Sequence, residues 1–320
     1  MKILSKFVLP LFSLLLILPA ASLSAKADKG TMDTYDVKKV GKHTWAVFGS
    51  LDAPTVENKG FMNNPAFTIT DKSVIVFDPG SNVYVGRGLL AKIRKLTDKP
   101  ITHVFNSHIH GDHWLGNQAF LEENPKVKIF AHPQMIVEAK AGEAQVWIDL
   151  MENLTNGISS GTEIIYPNNA LEDGQEITID NITVKSHLNE IAHTKTDAMF
   201  EIKEDKILIT GDNAFRNRSP RLDDGSYKGN IEVMEKALKL DVSTVIPGHG
   251  PVGGKEVLTD FKEFLSIVYE TSKELLDDDK EAFEMKPIVV EKMEKFKNWN
   301  NFDGAIGKLI SVAVLEAEEE

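Results

Sequence analysis

The sequence predicts an α/β fold in which helices cover a β-sheet core. Two observations predict it. Short apolar runs rich in β-branched residues recur through both halves of the chain, and apolar stripes at helical spacing lie between several of them. A third observation places function on that frame: the residue types that bind metal ions fall just beyond the ends of the predicted strands, where ligand-bearing loops gather.

From the N-terminus, residues 1–25 carry Lys2 and Lys6, an apolar run at 7–19 and the small-residue patch Ala20-Ala21-Ser22-Leu23-Ser24-Ala25. This is the pattern of a secretory signal peptide, with cleavage expected after Ala25 or Ala27. Pro10 and Pro19 interrupt the run, which is shorter than the roughly 20 apolar residues of a membrane span. The expected location is periplasmic or secreted, with no membrane contact after cleavage. An uncleaved signal that anchors the chain is the alternative. A lipid-modified N-terminus needs a cysteine, and the chain has none.

Residues 26–320 are expected to form a single catalytic domain. Strands are expected at 66–70, 73–77, 101–105, 127–130, 177–184, 198–202, 207–210 and 243–246. Leu89, Leu90, Ile93 and Leu96 predict a helix bounded by Gly88 and the Asp98-Lys99-Pro100 break. From about residue 255 the pattern turns helical, with Phe261, Phe264, Leu265, Val268 and Leu275 on one face, as a lid or packing helix.

The lack of cysteine removes disulfides and thiolate metal ligands, so a core of about 290 residues must supply the stability. The formal net charge is −12, and loss of Lys2 and Lys6 with the leader makes it more negative still. Such a surface repels phosphate backbones, which excludes nucleic acid and leaves a small-molecule substrate as the expected partner. Low-complexity tracts and short-period repeats are absent, which excludes solenoids and propellers.

The chemistry concentrates in His108-Ile109-His110-Gly111-Asp112-His113, with three imidazoles and a carboxylate in six positions. Zinc takes neutral imidazole nitrogen and carboxylate oxygen readily, and such a donor set also admits iron or manganese. His193 with Thr194, Asp212 after the 207–210 run and His249 after the 243–246 run follow in order, and Phe77-Asp78-Pro79-Gly80 precedes them all.

This ordered set resembles the metallo-β-lactamase-fold metallohydrolase superfamily over roughly residues 40–255. The resemblance implies a four-layered αββα sandwich. It also implies two Zn2+ per chain, one on His108, His110 and His193 and one on Asp112, His113 and His249, with Asp212 bridging them. Two such cations about 3.5 Å apart would share a hydroxide that attacks an ester, thioester, lactone or amide bond. Asp112 and Asp212 are the catalytic carboxylates of that scheme, and Asp78 supports the ligand loop from behind. Around them, Arg216 and Arg218 are candidates to hold a substrate carboxylate, although ion pairs to Asp223 and Asp224 are the commoner outcome for such a loop; Trp114 is expected to pack under the ligand loop, with a wall of the cleft as its alternative, and Phe61 and Met62 to form a flap over the site or to pack in the core. His43, His103, His132 and His187 lack ligand spacing and are read as structural.

Asp212 stands where many β-lactamases of this fold carry a cysteine, which moves the chain away from them. The all-histidine lactamases are nearer, yet their bridging position is usually not acidic. Residues 106–117, 210–215 and 217–229 are similar to exported zinc metallohydrolases associated with quinoprotein dehydrogenase and sulfur-oxidation gene clusters. A cysteine-free β-lactamase and a non-catalytic metal-binding accessory protein are the alternatives.

Overall fold

Among residues 29–319, which the computed structural model describes, twelve strands form two sheets; the leader expected at 1–25 lies outside the described residues. The first sheet runs in chain order: β1 (Val37–Lys39), β2 (Thr44–Val47), β3 (Ala66–Ile69), β4 (Val74–Phe77), β5 (Ile101–Phe105), β6 (Lys128–Ala131) and β7 (Asn169–Ala170). It is antiparallel up to β4 and parallel from β4 to β7. The second sheet comprises β8 (Glu176–Ile179), β9 (Ile182–Leu188), β10 (Ala198–Ile202), β11 (Ile207–Ile209) and β12 (Thr244–Ile246), in the spatial order β12-β11-β10-β9-β8. Only β11 and β12 run parallel in it.

The period-2 alternation of a strand sorts its side chains into two layers. In β4, Ile75 and Phe77 point into the space between the sheets, whereas Val74 and Val76 join the outer layer. Between the sheets Phe105 stacks on Phe77 at 5.4 Å between ring centroids and meets Phe200 of the second sheet at 5.3 Å. Outside the first sheet lie α1 (Val83–Arg94) and, beyond the single turn α2 (Gly111–Trp114), α3 (Asn117–Glu123); Leu89, Ile93 and Phe120 fill this outer layer. Helices α4 (Pro133–Glu138) and α5 (Ala144–Leu154) follow, joined by a π-helical turn, Ala139–Glu143, in which Gly142 takes φ +130°.

The second sheet is covered by α6 (Tyr227–Leu238), α7 (Glu256–Asp277), α8 (Ala282–Lys292) and α9 (Phe302–Glu318). All five residues expected on one face after Pro251, Phe261 through Leu275, are buried there, so α7 is a packing helix. The layer sequence is αββα, as the resemblance implied. No helix among the described residues is long and apolar enough to cross a membrane.

Two local expectations are corrected. Residues 177–184 form the turn of a hairpin, not one strand: Ile179 pairs with Ile182, and Asp180 occupies the left-handed region at φ +56°. Asp180 is held there by Thr70 and Ser73, whose hydroxyls donate to its carboxylate at 2.6 and 2.7 Å. Gly88 lies inside α1 rather than at its start, because Asn82 caps the helix by accepting from the backbone N–H of Tyr84 and Val85. Leu96 falls beyond the helix and is 48% exposed.

Candidate metal centre

Five loops meet at one end of the sandwich. Asp78, at the end of β4, adopts φ +47° and turns its carboxylate toward the loop that follows β5. Its Oδ1 accepts from the Ser107 backbone N–H at 2.8 Å, and its Oδ2 accepts from the Ser107 hydroxyl at 2.7 Å. From there His108 and His110 project, and α2 carries Asp112 and His113. Trp114 ends that turn fully buried, its indole N–H donating to the Ile109 carbonyl at 2.8 Å. It therefore braces the loop from below, the packing role expected of it, and does not wall the cleft, since side chains turn by about 100° per residue along a helix.

His193 sits in the turn between β9 and β10. Asp197 ties that turn by accepting from the Thr194 N–H at 2.8 Å and hydroxyl at 2.7 Å, and the Thr196 hydroxyl accepts from the Ile109 N–H at 3.1 Å. Burial pushes the Asp197 carboxyl up to about 7 against these hydrogen bonds. Asp212 follows β11 in a short 3-10 turn, and His249 follows β12. Gly248 is required between them, since a Cβ there would lie 2.0 Å from Asp212 Oδ1.

All seven candidate ligands are buried and fall into two groups, His108, His110, His193 and Asp212, and Asp112, His113 and His249, whose donor atoms lie within 4.8 Å of one another in each group. Asp212 faces both. Its Oδ2 is 3.4 Å from His193 Nε2 and 3.9 Å from His108 Nε2. Its Oδ1 is 3.0 Å from His113 Nε2 and 3.3 Å from His249 Nε2. Asp112 Oδ2 is 3.2 Å from His249 Nε2 and 3.4 Å from His113 Nε2, and His110 Nδ1 is 3.0 Å from His193 Nε2.

The inward atoms His108 Nε2, His113 Nε2, His249 Nε2, Asp112 Oδ2 and Asp212 Oδ1 are buried and make no hydrogen bond. Leaving a buried polar group unpaired costs about 1–3 kcal/mol. Five such atoms converging on one spot are therefore a fit to metal ions, and nitrogen and oxygen donors suit zinc, iron or manganese alike.

In four of the five histidines the outward ring nitrogen has a partner that leaves the inward one free, whereas His193 Nδ1 is buried and makes no hydrogen bond. His113 Nδ1 donates to Asp78 Oδ2 at 2.9 Å, and His108 Nδ1 donates to the Ser107 hydroxyl at 2.9 Å, which itself donates to Asp78. His249 Nδ1 donates to the Met62 carbonyl at 2.9 Å. His110 Nε2 donates to Asp224 Oδ2 at 3.1 Å. Asp78 thus stands where the sequence placed it. Asp224 went unrecognised as a histidine partner because 114 residues separate it from His110.

The electrostatics divide the two groups. Burial, reinforced by His113, holds His108 well below the usual imidazole range, and burial brings His193 down to about 3. For His113 burial acts the same way, but Asp212, Asp112 and Asp78 outweigh it and lift the ring well above its ordinary value; His249 is also raised, chiefly by Asp212 acting against burial. Burial opposes ionisation of Asp112 and Asp212 too, yet His113 and His249 hold both well below the carboxylate range. The hydrogen bond from His110 lowers Asp224 to about 2.

A cavity of about 850 Å³ opens over His110, Asp112, Asp212 and His249. Arg218 lines it. Arg216 does not: its Nη1 donates to the Val252 carbonyl at 3.1 Å and lies 3.5 Å from Glu256, so it fastens the loop to α7. Phe61 is fully buried against Tyr35 with the α1 layer, so it is a core residue rather than a flap; its neighbour Met62 lines the cavity instead. Trp147 of α5, which no motif marked, forms another wall and carries the Arg221 guanidinium 5.6 Å above its ring. His43, His103, His132 and His187 lie away from the centre, bonded to Asp205, Thr102, the Gln134 N–H and Glu201.

Comparison with known proteins agrees with this geometry. The pattern of the Metallo-beta-lactamase superfamily matches residues 60–249. A probable metallo-hydrolase of Streptococcus pyogenes serotype M6 is 25% identical over 199 residues, covering 59% of this chain and 79% of that protein. A linear primary-alkylsulfatase of a Pseudomonas species is 25% identical over 219 residues, covering 58% of this chain and 41% of that protein. The solved structure of a stereoselective inverting sec-alkylsulfatase from Pseudomonas sp. shares the fold, with a TM-score of 0.67 at 18% identity over 88% of this chain and 50% of that one. The chain thus spans half or less of these two sulfatases. With a family pattern that covers more than half of its length and ends on His249, the chain belongs to the metallo-beta-lactamase superfamily and is a metal-dependent hydrolase.

Proposed function

We propose that the chain is an exported hydrolase that holds two zinc ions, one on His108, His110 and His193 and one on Asp112, His113 and His249. Asp212 lies between them, and the bond cleaved is an ester, thioester, lactone or amide of a small molecule. The observation that carries this proposal is the Asp212 carboxylate, which turns one oxygen toward each ligand group. Metal ions bound there would lower the pKa of water and polarise the scissile bond.

The chain's own residues supply the rest. Asp112 lines the cavity and stays ionised, so its carboxylate can orient a water molecule beside the two ligand groups. Asp78, Ser107, Met62 and Asp224 hold four of the five imidazoles in the tautomers that ligation needs. Zinc leads among the metals that the nitrogen and oxygen donors admit on the ground of the family resemblance, and export is supported by the leader pattern at 1–25. The relative named as an alkylsulfatase adds sulfate esters to the bonds worth assaying.

The test is a panel of nitrocefin, an acyl-homoserine lactone, a thioester, a carboxylic ester, an alkyl sulfate and a phosphodiester. Each is assayed with protein carrying a measured content of zinc, iron or manganese. Turnover of one class that scales with bound metal is expected. No turnover at two metals per chain would favour the accessory-protein alternative. The N-terminal sequence of protein recovered from outside the cytoplasm tests export, with Lys26 or Asp28 expected as the first residue.

A further inference from the structure

Both ligand groups draw on both sheets. His108, His110, Asp112 and His113 follow β5 of the first sheet, whereas His193, Asp212 and His249 follow β9, β11 and β12 of the second. The geometry of each group therefore depends on how the loops of one sheet are held against those of the other. For the first group, the Ile109 N–H donates to the Thr196 hydroxyl at 3.1 Å and the Ala198 N–H to the Ser107 carbonyl at 2.7 Å. The second group takes His249 from the other sheet, out of the turn Pro247-Gly248-His249-Gly250. This turn sets the ligand between two glycines, the residues that restrain a backbone least.

Asn64 supplies a restraint from outside. It lies buried in the loop before β3, and Pro65 after it favours extended backbone, in which successive side chains point to opposite sides. Asn63 turns to the first sheet, where its Nδ2 donates to the Asp78 carbonyl at 2.8 Å, and Asn64 turns to the second. The Asn64 N–H donates to the Gly248 carbonyl at 2.9 Å, and its Nδ2 donates to the Pro247 and Gly250 carbonyls at 2.8 and 2.7 Å. Carbonyls only accept, so it is the amide nitrogen that faces the turn. Within its own sheet the turn is held by the Gly248 N–H donating to the Gly211 carbonyl at 2.8 Å and by the Arg216 N–H donating to the His249 carbonyl at 3.1 Å.

We propose that Asn64 is a positioning residue for the second ligand group. By gripping carbonyls on both sides of His249 it sets the register at which His249 Nε2 meets Asp112 Oδ2, 3.2 Å away. Asn63 ties the same segment to the Asp78 turn, whose carboxylate holds His113, and Met62 completes the latch through its carbonyl on His249 Nδ1. This inference rests on the proposed two-metal reading of the centre. Thr196 ties the His193 turn to the loop of His108 and His110, so loss of either tie is felt by one group and not by the other.

The test is cobalt titration, the occupied group being assigned by the paramagnetic shifts of its histidine ring protons, with hydrogen exchange of the metal-free protein beside it. Asn64→Ala removes two of the three bonds to the turn. It should weaken cobalt binding at the second group about tenfold and change the first by less than about twofold, and Thr196→Val should do the reverse. Asn64→Ser keeps one side-chain donor and should fall between Asn64→Ala and the unaltered protein; it carries the comparison if Asn64→Ala does not fold. In metal-free Asn64→Ala the Gly248 and Arg216 amides should exchange about tenfold faster, while that of Ala192, which donates to the Thr194 carbonyl in the His193 turn, keeps its rate. Equal weakening of both groups, or Asn64 variants whose second group and Gly248 amide match the unaltered protein, would overturn the inference. A single cobalt site in the unaltered protein refutes the two-metal reading instead, and faster Gly248 exchange in Asn64→Ala then leaves the grip on the His249 turn standing.

Discussion

Asp78 Oδ2 accepts hydrogen bonds from both His113 Nδ1 and the Ser107 hydroxyl, at 2.9 and 2.7 Å. One carboxylate therefore sets the tautomer of His113 directly and that of His108 through Ser107, one histidine in each ligand group. Asp78→Asn keeps the shape and tolerates the left-handed backbone at φ +47°. It should weaken metal binding by about 10–100-fold with little effect on folding. Metal titration monitored by calorimetry, beside circular dichroism, checks both halves of that expectation.

Gly248→Ala is expected to destroy the site without replacing a ligand. Its Cβ would lie 2.0 Å from Asp212 Oδ1 and 2.7 Å from the Gly211 carbonyl carbon. The forced shift should cost about 1–3 kcal/mol of stability and displace Asp212 from between the two groups. Thermal melting and metal content together would register it; a variant that retains two metals and full activity would contradict the packing described.

Metal uptake should depend on pH differently in the two groups. His113 titrates well above and His249 above the ordinary imidazole value of 6.5, so in metal-free protein each keeps a second proton to higher pH than an ordinary imidazole and must lose it on ligation. Affinity of the Asp112, His113 and His249 group therefore rises with pH through neutrality. His108 lies well below 6.5 and His193 near 3, so proton release from these two rings contributes no such slope above about pH 5. At pH 6 the first group should fill before the second. Metal stoichiometry against pH measures this, and simultaneous filling with equal slopes would count against it.

Asp224→Ala should lower metal affinity about tenfold at the group containing His110, with the second group unaffected. The Asp224 side chain is 49% exposed, so no folding penalty is expected. Site-resolved titration with cobalt as a spectroscopic probe would show the difference, and equal weakening of both groups would contradict the local role of the His110 contact.

Much of the centre was legible because its ligands are tied to secondary structure. One helical turn after β5 brings Asp112 and His113 to the end of the HxH segment, and Asp212 and His249 each follow a short apolar strand. What was not legible depends on direction and on contacts through space. Arg216 and Arg218 look equivalent in sequence, but Asn217 between them takes φ +59°, and the two side chains go to different places: α7 for one, the cavity for the other. Phe61 and Met62 part in the same way, one into the core and one into the cavity. The leading turn of the 176–188 hairpin was hidden because Ile179 and Ile182 flank Asp180 and Asn181 within what reads as one apolar run. Asp224 carried the charge of a loop residue, and it does meet Arg221 at 3.4 Å; only the fold reveals that it also faces His110.

The central claim is that Asp212 stands between two metal ions. Anomalous diffraction from crystals of zinc-reconstituted protein tests it most directly. Two peaks about 3.5 Å apart are expected, one beside His108, His110 and His193 and the other beside Asp112, His113 and His249, with an Asp212 oxygen turned to each. A single peak at full zinc loading, or an Asp212 carboxylate that reaches only one of two, would contradict the account.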